Sequence, residues 1–425
     1  MSTRPEIEPS PWRNSRFRAF AAGNAINNIG ESVYDVTLPL LAYELTGSLA
    51  VMGVLAAMTP ATLLLGPLLG GAADRWGSRV LVVPGLLVQL VTALAMNLVA
   101  LRPQAPLWLL IVLAAILQVA GATYRVGWMT GVPQMFPAAP VRSRGTLSSL
   151  FVATTIIGPV IVASTIGLVG YRGLLWINLA TFVAPLVVWF LGIHPPPIKH
   201  KTADSGRRRG FGLGEGWVAI RSSPPLVASL LVLFPLEFVM AAATPVLATY
   251  HMRDTVHLPA AQVAVVFGAM NVAALLGALS VSERKRFRPG PVLAATTVGL
   301  TIGLLCASVT VVWVMVAALL VYKFFDGAAG STASMLSVHY VPDSVFGRAS
   351  GLLRLAHGIP STIGPILLLP LVQVLGTGNT FVVLGLVGLV PVVLLIGLRR
   401  YWNAGGGSQP APASESIPEQ EGVTR

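Results

Sequence analysis

The chain has 425 residues, of which 54% are hydrophobic and only 10% charged, with a net charge of +12 and a mean hydropathy of +0.76. That balance excludes an ordinary soluble domain and points to an integral membrane protein. Its basic residues cluster between apolar stretches instead of lining one face, so they read as determinants of membrane topology, and no nucleic-acid partner is expected.

The first 18 residues, MSTRPEIEPSPWRNSRFR, form a polar segment. No small-residue cleavage site follows the first apolar run, so that run reads as a retained helix and not as a signal peptide. Apolar spans of helix length begin near Ala19, Ala50, Val80, Leu107, Leu147, Gly173, Leu226, Ala260, Pro291, Val311, Ala349 and Thr380. The expected fold is an all-α membrane protein with twelve transmembrane helices. Only Arg102, Arg172 and Arg253 fall in the loops of one side, while Arg125 and Lys323 fall within spans. The rest of the 28 Lys and Arg residues lie on the other side, which places both termini in the cytoplasm.

Two carboxylates interrupt the first span, in AFAAGNAINNIGESVYDVTLPLLAYEL. Glu31 lies 13 residues past Arg18, roughly 20 Å along the helix, and Asp35 follows one turn later on the same face. Ionisable groups at that depth mark transport or proton pathways. Glu31 reads either as a proton-carrying carboxyl or as a structural acid bonded to Asn27 or Asn28; Asp35 has a substrate or proton role, or stands in an external vestibule.

In the fourth span, Arg125 lies about 25 Å along its helix from Trp108 and is expected near the cytoplasmic side as a gate or interfacial contact. The sixth span ends in a long basic interruption, residues 195–224. It carries Lys199, Lys201, Arg207, Arg208, Arg209 and Arg221, and Phe211, Leu213, Trp217, Val218 and Ile220 predict a short amphipathic helix there. This loop divides a six-helix half over 19–194 from a second over 225–398. After Arg400 the composition is too polar to fold, and residues 399–425 are expected as a disordered cytoplasmic tail.

The halves repeat at one offset. Glu31 and Pro39 recur 206 residues later as Glu237 and Pro245, and the same offset relates RSRGTLSSLFVATTIIGP to RASGLLRLAHGIPSTIGP. A shared offset in two separate regions indicates internal duplication, with halves related by an axis along the membrane normal. In the second half Glu237 falls mid-membrane, beside Phe238. Lys323 and Asp326 are i and i+3 neighbours that can pair, or free Asp326 as a second proton-coupling acid. His357, three residues after Arg354, can enter the pathway, whereas no histidine spacing fits a metal site. Tyr34, Tyr43, Phe238, Tyr322, Phe324 and Phe325 lie close enough to the acids to line a lipophilic site.

Between the second and third spans stands GGAADRWGSR, a tight turn. It resembles the signature loop of the major facilitator superfamily at Gly70, Asp74, Arg75, Gly77 and Arg79, with Ser78 replacing a usual basic residue. Over residues 16–400 the chain resembles bacterial drug and siderophore exporters of that superfamily, of the macrolide-efflux and enterobactin-exporter type. The pieces are FRAFAAGNAINNIGES, LPLLAYELTGS, LGEGWVAIRSSPPL and Gly158-Pro159, the Gly-Pro of the family's antiporter motif. Gly158-Pro159 and Gly364-Pro365 each remove a backbone hydrogen bond, as helix hinges or as packing points.

The sequence has no phosphate-binding loop and no catalytic or metal-ligating cluster, so an enzyme is not expected and no cofactor beyond a proton gradient is implied. The resemblance implies a transporter in the bacterial inner membrane that exports small molecules by proton antiport and alternating access; a twelve-helix bundle needs no partner to enclose a central path, so a monomer is expected. Proton-coupling candidates are Glu31, Asp35 and Asp326; substrate-binding candidates are Glu31, Tyr34, Asp35, Glu237, Phe238, Lys323, Arg354 and His357. The acidic balance favours lipophilic cations. Alternatives are export of a siderophore or another secondary metabolite, with Lys323, Arg354 and Arg125 as counter-charges, and a non-transporting receptor or scaffold.

Overall fold

The computed structural model describes residues 9–102, 106–196, 213–282, 289–341 and 346–398. The first eight residues, the tail from residue 399, and Lys199, Lys201, Arg207 to Arg209 and Phe211 of the central loop lie outside the described residues. Among the described residues the chain is helical throughout, with no strand.

Asn14 caps the first helix, α1 (Ser15–Thr46), its side chain accepting from the backbone N–H groups of Arg16 and Phe17. Next come α2 (residues 49–76), α3 (Ser78–Ala100) and α4 (Leu107–Met135). The following apolar stretch, Arg142–Phe190, is 49 residues long, about 74 Å at the helical rise and more than twice the ~30 Å hydrocarbon core. It divides at Gly170, whose φ of 63° and ψ of −177° only glycine adopts readily, into α5 (residues 140–169) and α6 (residues 171–190).

In the second half, α7 (residues 224–255) contains π turns at Ala243–Leu247 and His251–Thr255, a distortion absent from α1. It leads to α8 (Ala260–Ser282), α9 (Pro289–Ala307) and α10 (Val312–Tyr340). The last stretch divides at Gly376 (φ 75°, ψ 170°) into α11 (residues 346–375) and α12 (residues 377–397). Gly170 and Gly376 are themselves 206 residues apart, so the tight turns obey the same duplication.

Nine described helical stretches are long and apolar enough to cross a membrane. Two of them hold two spans each, and α1 adds a further one that its polar residues disguise, which gives the twelve helices. They form two six-helix halves, joined where α2 packs on α11 and α5 packs on α8. At the first seam the Gly53 Cα lies against the Pro365 carbonyl, where an added methyl would sit 2.8 Å from the oxygen; at the second, Asn271 donates to the Thr155 carbonyl at 2.6 Å.

Gly158 and Gly364 do not break their helices. A methyl on Gly158 would overlap Ser32 of α1, and one on Gly364 would lie 2.7 Å from the Phe238 carbonyl of α7. Both glycines thus give close passage beside the residue that follows Glu31 or Glu237. The signature segment is mostly helical: α2 runs to Trp76, Gly77 turns the chain at φ 90°, and α3 starts at Ser78. Arg79 stacks over Trp189 at 5.3 Å and Arg75 over Trp76 at 5.5 Å, while the Asp74 side chain is outside the described residues. In the central loop, Leu213–Arg221 is helical, with Ile220 buried and Trp217 and Val218 exposed.

Candidate functional site

Glu31, Tyr34 and Asp35 share a cavity of about 130 Å³ inside the first half. Its wall combines Asn28 and Ser32 of α1, Gln89 of α3, Gln118 and Arg125 of α4, Phe151 and Thr155 of α5, and Asn178 of α6. The i, i+4 spacing of Glu31 and Asp35 turns both carboxylates the same way.

Glu31 is held at both oxygens. Asn27 donates to Oε1 at 3.1 Å, and Arg125 Nη2 donates to Oε2 at 2.6 Å. The guanidinium also lies over the Phe151 ring at 5.4 Å. The expected position of Arg125 near the membrane face therefore needs correction, since the residue stands at the cavity. The reason is geometric: helical side chains lean toward the helix N-terminus, so a long arginine on the last third of α4 reaches back toward the bilayer centre. Asp35 is exposed to the cavity, whose wall also includes Gln118.

The second half builds a different arrangement around the related glutamate. Glu237 meets His357 Nδ1 at 3.2 Å and accepts from the Ser361 hydroxyl at 3.2 Å, both partners being on α11. The position equivalent to Arg125 is Ser331 and that equivalent to Asp35 is Ala241, so the duplication keeps the glutamate alone and changes its partners. Phe238 is half-buried with its carbonyl against Gly364, and Arg354 is exposed. Lys323 and Asp326 are joined in a salt bridge. None of these second-half residues lines the α1 cavity.

Because His357 and Ser361 can hydrogen-bond a neutral amide, Glu237→Gln is expected to change thermal stability by less than about 1 kcal/mol, within the range of a single exchanged hydrogen bond. A detergent-solubilised melting curve checks this.

Where α1 and α7 end, the halves meet through charge and rings. Arg253 donates to Glu44 at 3.1 Å and to the Leu258 carbonyl at 2.8 Å, and stacks over Tyr43, which in turn meets Tyr250 edge-on at 5.8 Å. An ion pair with Glu44 half-exposed contributes about 0.2–1 kcal/mol. Arg253→Glu is therefore expected to raise labelling of a Thr46→Cys probe, in a Cys306→Ser background, by up to about fivefold. Adding Glu44→Arg should bring labelling back.

Gln89, Gln118, Asn178, Ser361 and the Glu44–Arg253 pair were not singled out by sequence reasoning. The available signal was the same for the first three: one amide within an apolar run, in GLLVQLV, AILQVAG and LLWINLA.

Several solved structures share this architecture. A nucleoside transporter, NupG in mutant form, superposes with a TM-score of 0.70 at 12% identity, covering 91% of this chain and all of that one. A POT family transporter in complex with a thioalcohol-conjugated peptide gives 0.69 at 13% identity, covering 91% and 96%. The human organic anion transporter MFSD10 (TETRAN) gives 0.61 at 15% identity, covering 91% and 100%. Comparison with curated protein sequences finds no match. The Major Facilitator Superfamily model matches residues 20–289 and 238–421, almost the full span of the two halves. The chain thus belongs to the major facilitator superfamily and is a multi-pass membrane transporter of small molecules, not an enzyme.

Proposed function

We propose that this transporter exports lipophilic cations in exchange for protons, working as a monomer in a bacterial inner membrane with both termini in the cytoplasm. The observation that carries the reading is the α1 cavity, in which Glu31 and Asp35 face the single cation Arg125. With both acids ionised the site has a net charge of −1, so it takes either a proton or a cationic substrate. Competition for one charge is what an exchanger needs: each ligand weakens the other's binding by the same factor.

In this mechanism Arg125 holds Glu31 and keeps its charge compensated, while Asp35, exposed and free of a direct arginine contact, exchanges the proton. Closure at Glu44–Arg253 and Tyr43–Tyr250 leaves the cavity to load from the cytoplasm. Opening there releases the cation outward, and a proton returns on Asp35. Asp326 is a second coupling acid if its bond to Lys323 opens. The test is energy-dependent efflux. Cells loaded with a fluorescent lipophilic cation while de-energised should lose it when a proton gradient is restored; retention equal to that of cells lacking the protein contradicts export.

One observation favours a second reading. Arg125 has 45% of its side chain exposed and Arg354 is exposed, so both are available to an anion such as a siderophore or another acidic metabolite. The likeness to an organic anion transporter is consistent with that alternative. Inhibition of efflux by organic anions and not by cations would favour it.

A further inference from the structure

We infer that the α1 cavity is a socket for a hydrogen-bonding ammonium head group, with Asn28, Tyr34, Gln89 and Asn178 setting its specificity. This rests on the cation reading above and narrows it to ammonium groups that carry N–H and hydroxyl donors.

The four residues come from three helices and meet at one cavity. Asn28, Tyr34, Gln89 and Asn178 are 4%, 3%, 2% and 1% exposed, yet Asn28 Nδ2, Tyr34 Oη, Gln89 Oε1 and Asn178 Oδ1 have no hydrogen-bond partner. Buried polar atoms are normally satisfied, by protein, water or ligand. Polar side chains in membrane helices ordinarily find partners on neighbouring helices. Here the residues that carry the unpaired atoms line a charged cavity.

The chemistry of the wall specifies the occupant. The net charge of −1 calls for one positive charge. Gln89 Oε1 and Asn178 Oδ1 accept from ammonium or hydroxyl hydrogens, Asn28 Nδ2 donates to a hydroxyl oxygen, and Tyr34 does either. A quaternary ammonium has no N–H, so it would displace water and leave both amide oxygens unsatisfied. The volume of about 130 Å³ is well below the roughly 300–1,000 Å³ of pockets that enclose drug-sized ligands, so it fits a head group and not a whole drug-sized molecule. The lipophilic body is left to the seam between the halves. Thr155 lines the cavity while its carbonyl accepts from Asn271 of the other half, so head-group binding and half-to-half contact share a wall.

The experiment uses full-length protein in lipid nanodiscs and three probes with a common benzyl body: benzyltrimethylammonium, benzylammonium and N-benzylethanolammonium. Equilibrium binding is read by tryptophan fluorescence. The hydroxylated probe should bind at least about tenfold more tightly than the quaternary one, because sites built to hydrogen-bond a group discriminate strongly against analogues lacking it. Tyr34→Phe, which removes only a hydroxyl, and Gln89→Leu should each reduce that ratio by at least about threefold, Gln89→Leu in part by tightening quaternary binding, since one fewer amide oxygen is then left unsatisfied. A quaternary probe that binds as tightly as the hydroxylated one, a ratio unaffected by both substitutions, or no binding of any probe overturns the proposal. Proton exchange is not part of this readout. A preserved head-group ratio beside failed antiport would sink the coupling mechanism alone, and intact antiport beside an absent ratio would sink the socket alone.

Discussion

Glu31→Gln is expected to lower stability by about 1–2 kcal/mol and to reduce cation transport at least about tenfold, whereas adding Arg125→Gln restores the stability. Breaking a buried ion pair costs about 3–5 kcal/mol because the remaining charge is stranded. The smaller figure applies here because 45% of the Arg125 side chain is exposed, so the cavity partly solvates the stranded guanidinium. The transport loss has a separate cause. Removing Glu31 takes the cavity from −1 to neutral and frees Arg125 to seek Asp35, the acid that must exchange. In the double variant the arginine is gone and Asp35 alone restores the −1 charge, so binding recovers together with stability. Melting curves and uptake in the four members of the double-mutant cycle decide this, and additive effects would show that the two residues act independently.

Gly277→Ala and Gly327→Ala are each expected to destabilise by about 2 kcal/mol or more, toward the upper part of the range for overpacking a tight core. A methyl on Gly277 would overlap the Phe324 carbonyl of α10, and one on Gly327 would overlap the Ala274 carbonyl of α8. Both obstacles are backbone, so no rotamer change relieves them and the helices must separate. The same crossing positions Lys323 and Asp326, which lie beside Phe324 and Gly327. Separation should therefore also loosen that pair. Gly330→Ala is the control: it lies on the same helix with nothing within 4 Å of the added methyl, and Ala is a better helix former by about 0.5–1 kcal/mol. Equal melting temperatures for Gly277→Ala and Gly330→Ala would contradict the close-packing account.

Much of the architecture is legible in the sequence. Apolar runs mark the spans because lipid demands internally bonded backbone, and the recurrence of Glu31 as Glu237 exposes the duplication. The breaks at Gly170 and Gly376 were legible to within a few residues, since new spans are expected near Gly173 and Thr380 and Arg172 reads as a loop residue; that a single glycine makes each turn was not. Acids in α1 and α7 stand out against apolar neighbours, so their depth could be estimated from the helical rise. Their partners could not. Arg125 is 94 residues from Glu31, and counting along α4 gives the height of its Cα but not where a long, backward-leaning side chain ends. Nor does periodicity distinguish the partner of Glu237, because the duplicated frame predicts a residue of α10 and the chain uses His357 of α11 instead. The amides at Gln89 and Asn178 are single polar positions whose meaning depends on three helices converging.

Proton movement driven by substrate tests the central claim most directly. In energised inverted vesicles with a pH-sensitive dye, adding a lipophilic ammonium compound to wild-type protein should release protons from the lumen, and Asp35→Asn, which leaves the Glu31–Arg125 pair untouched, should abolish that release. Transport of the same compound with no proton signal, or a signal of equal size in Asp35→Asn, would contradict an exchange of proton for cation at the α1 cavity.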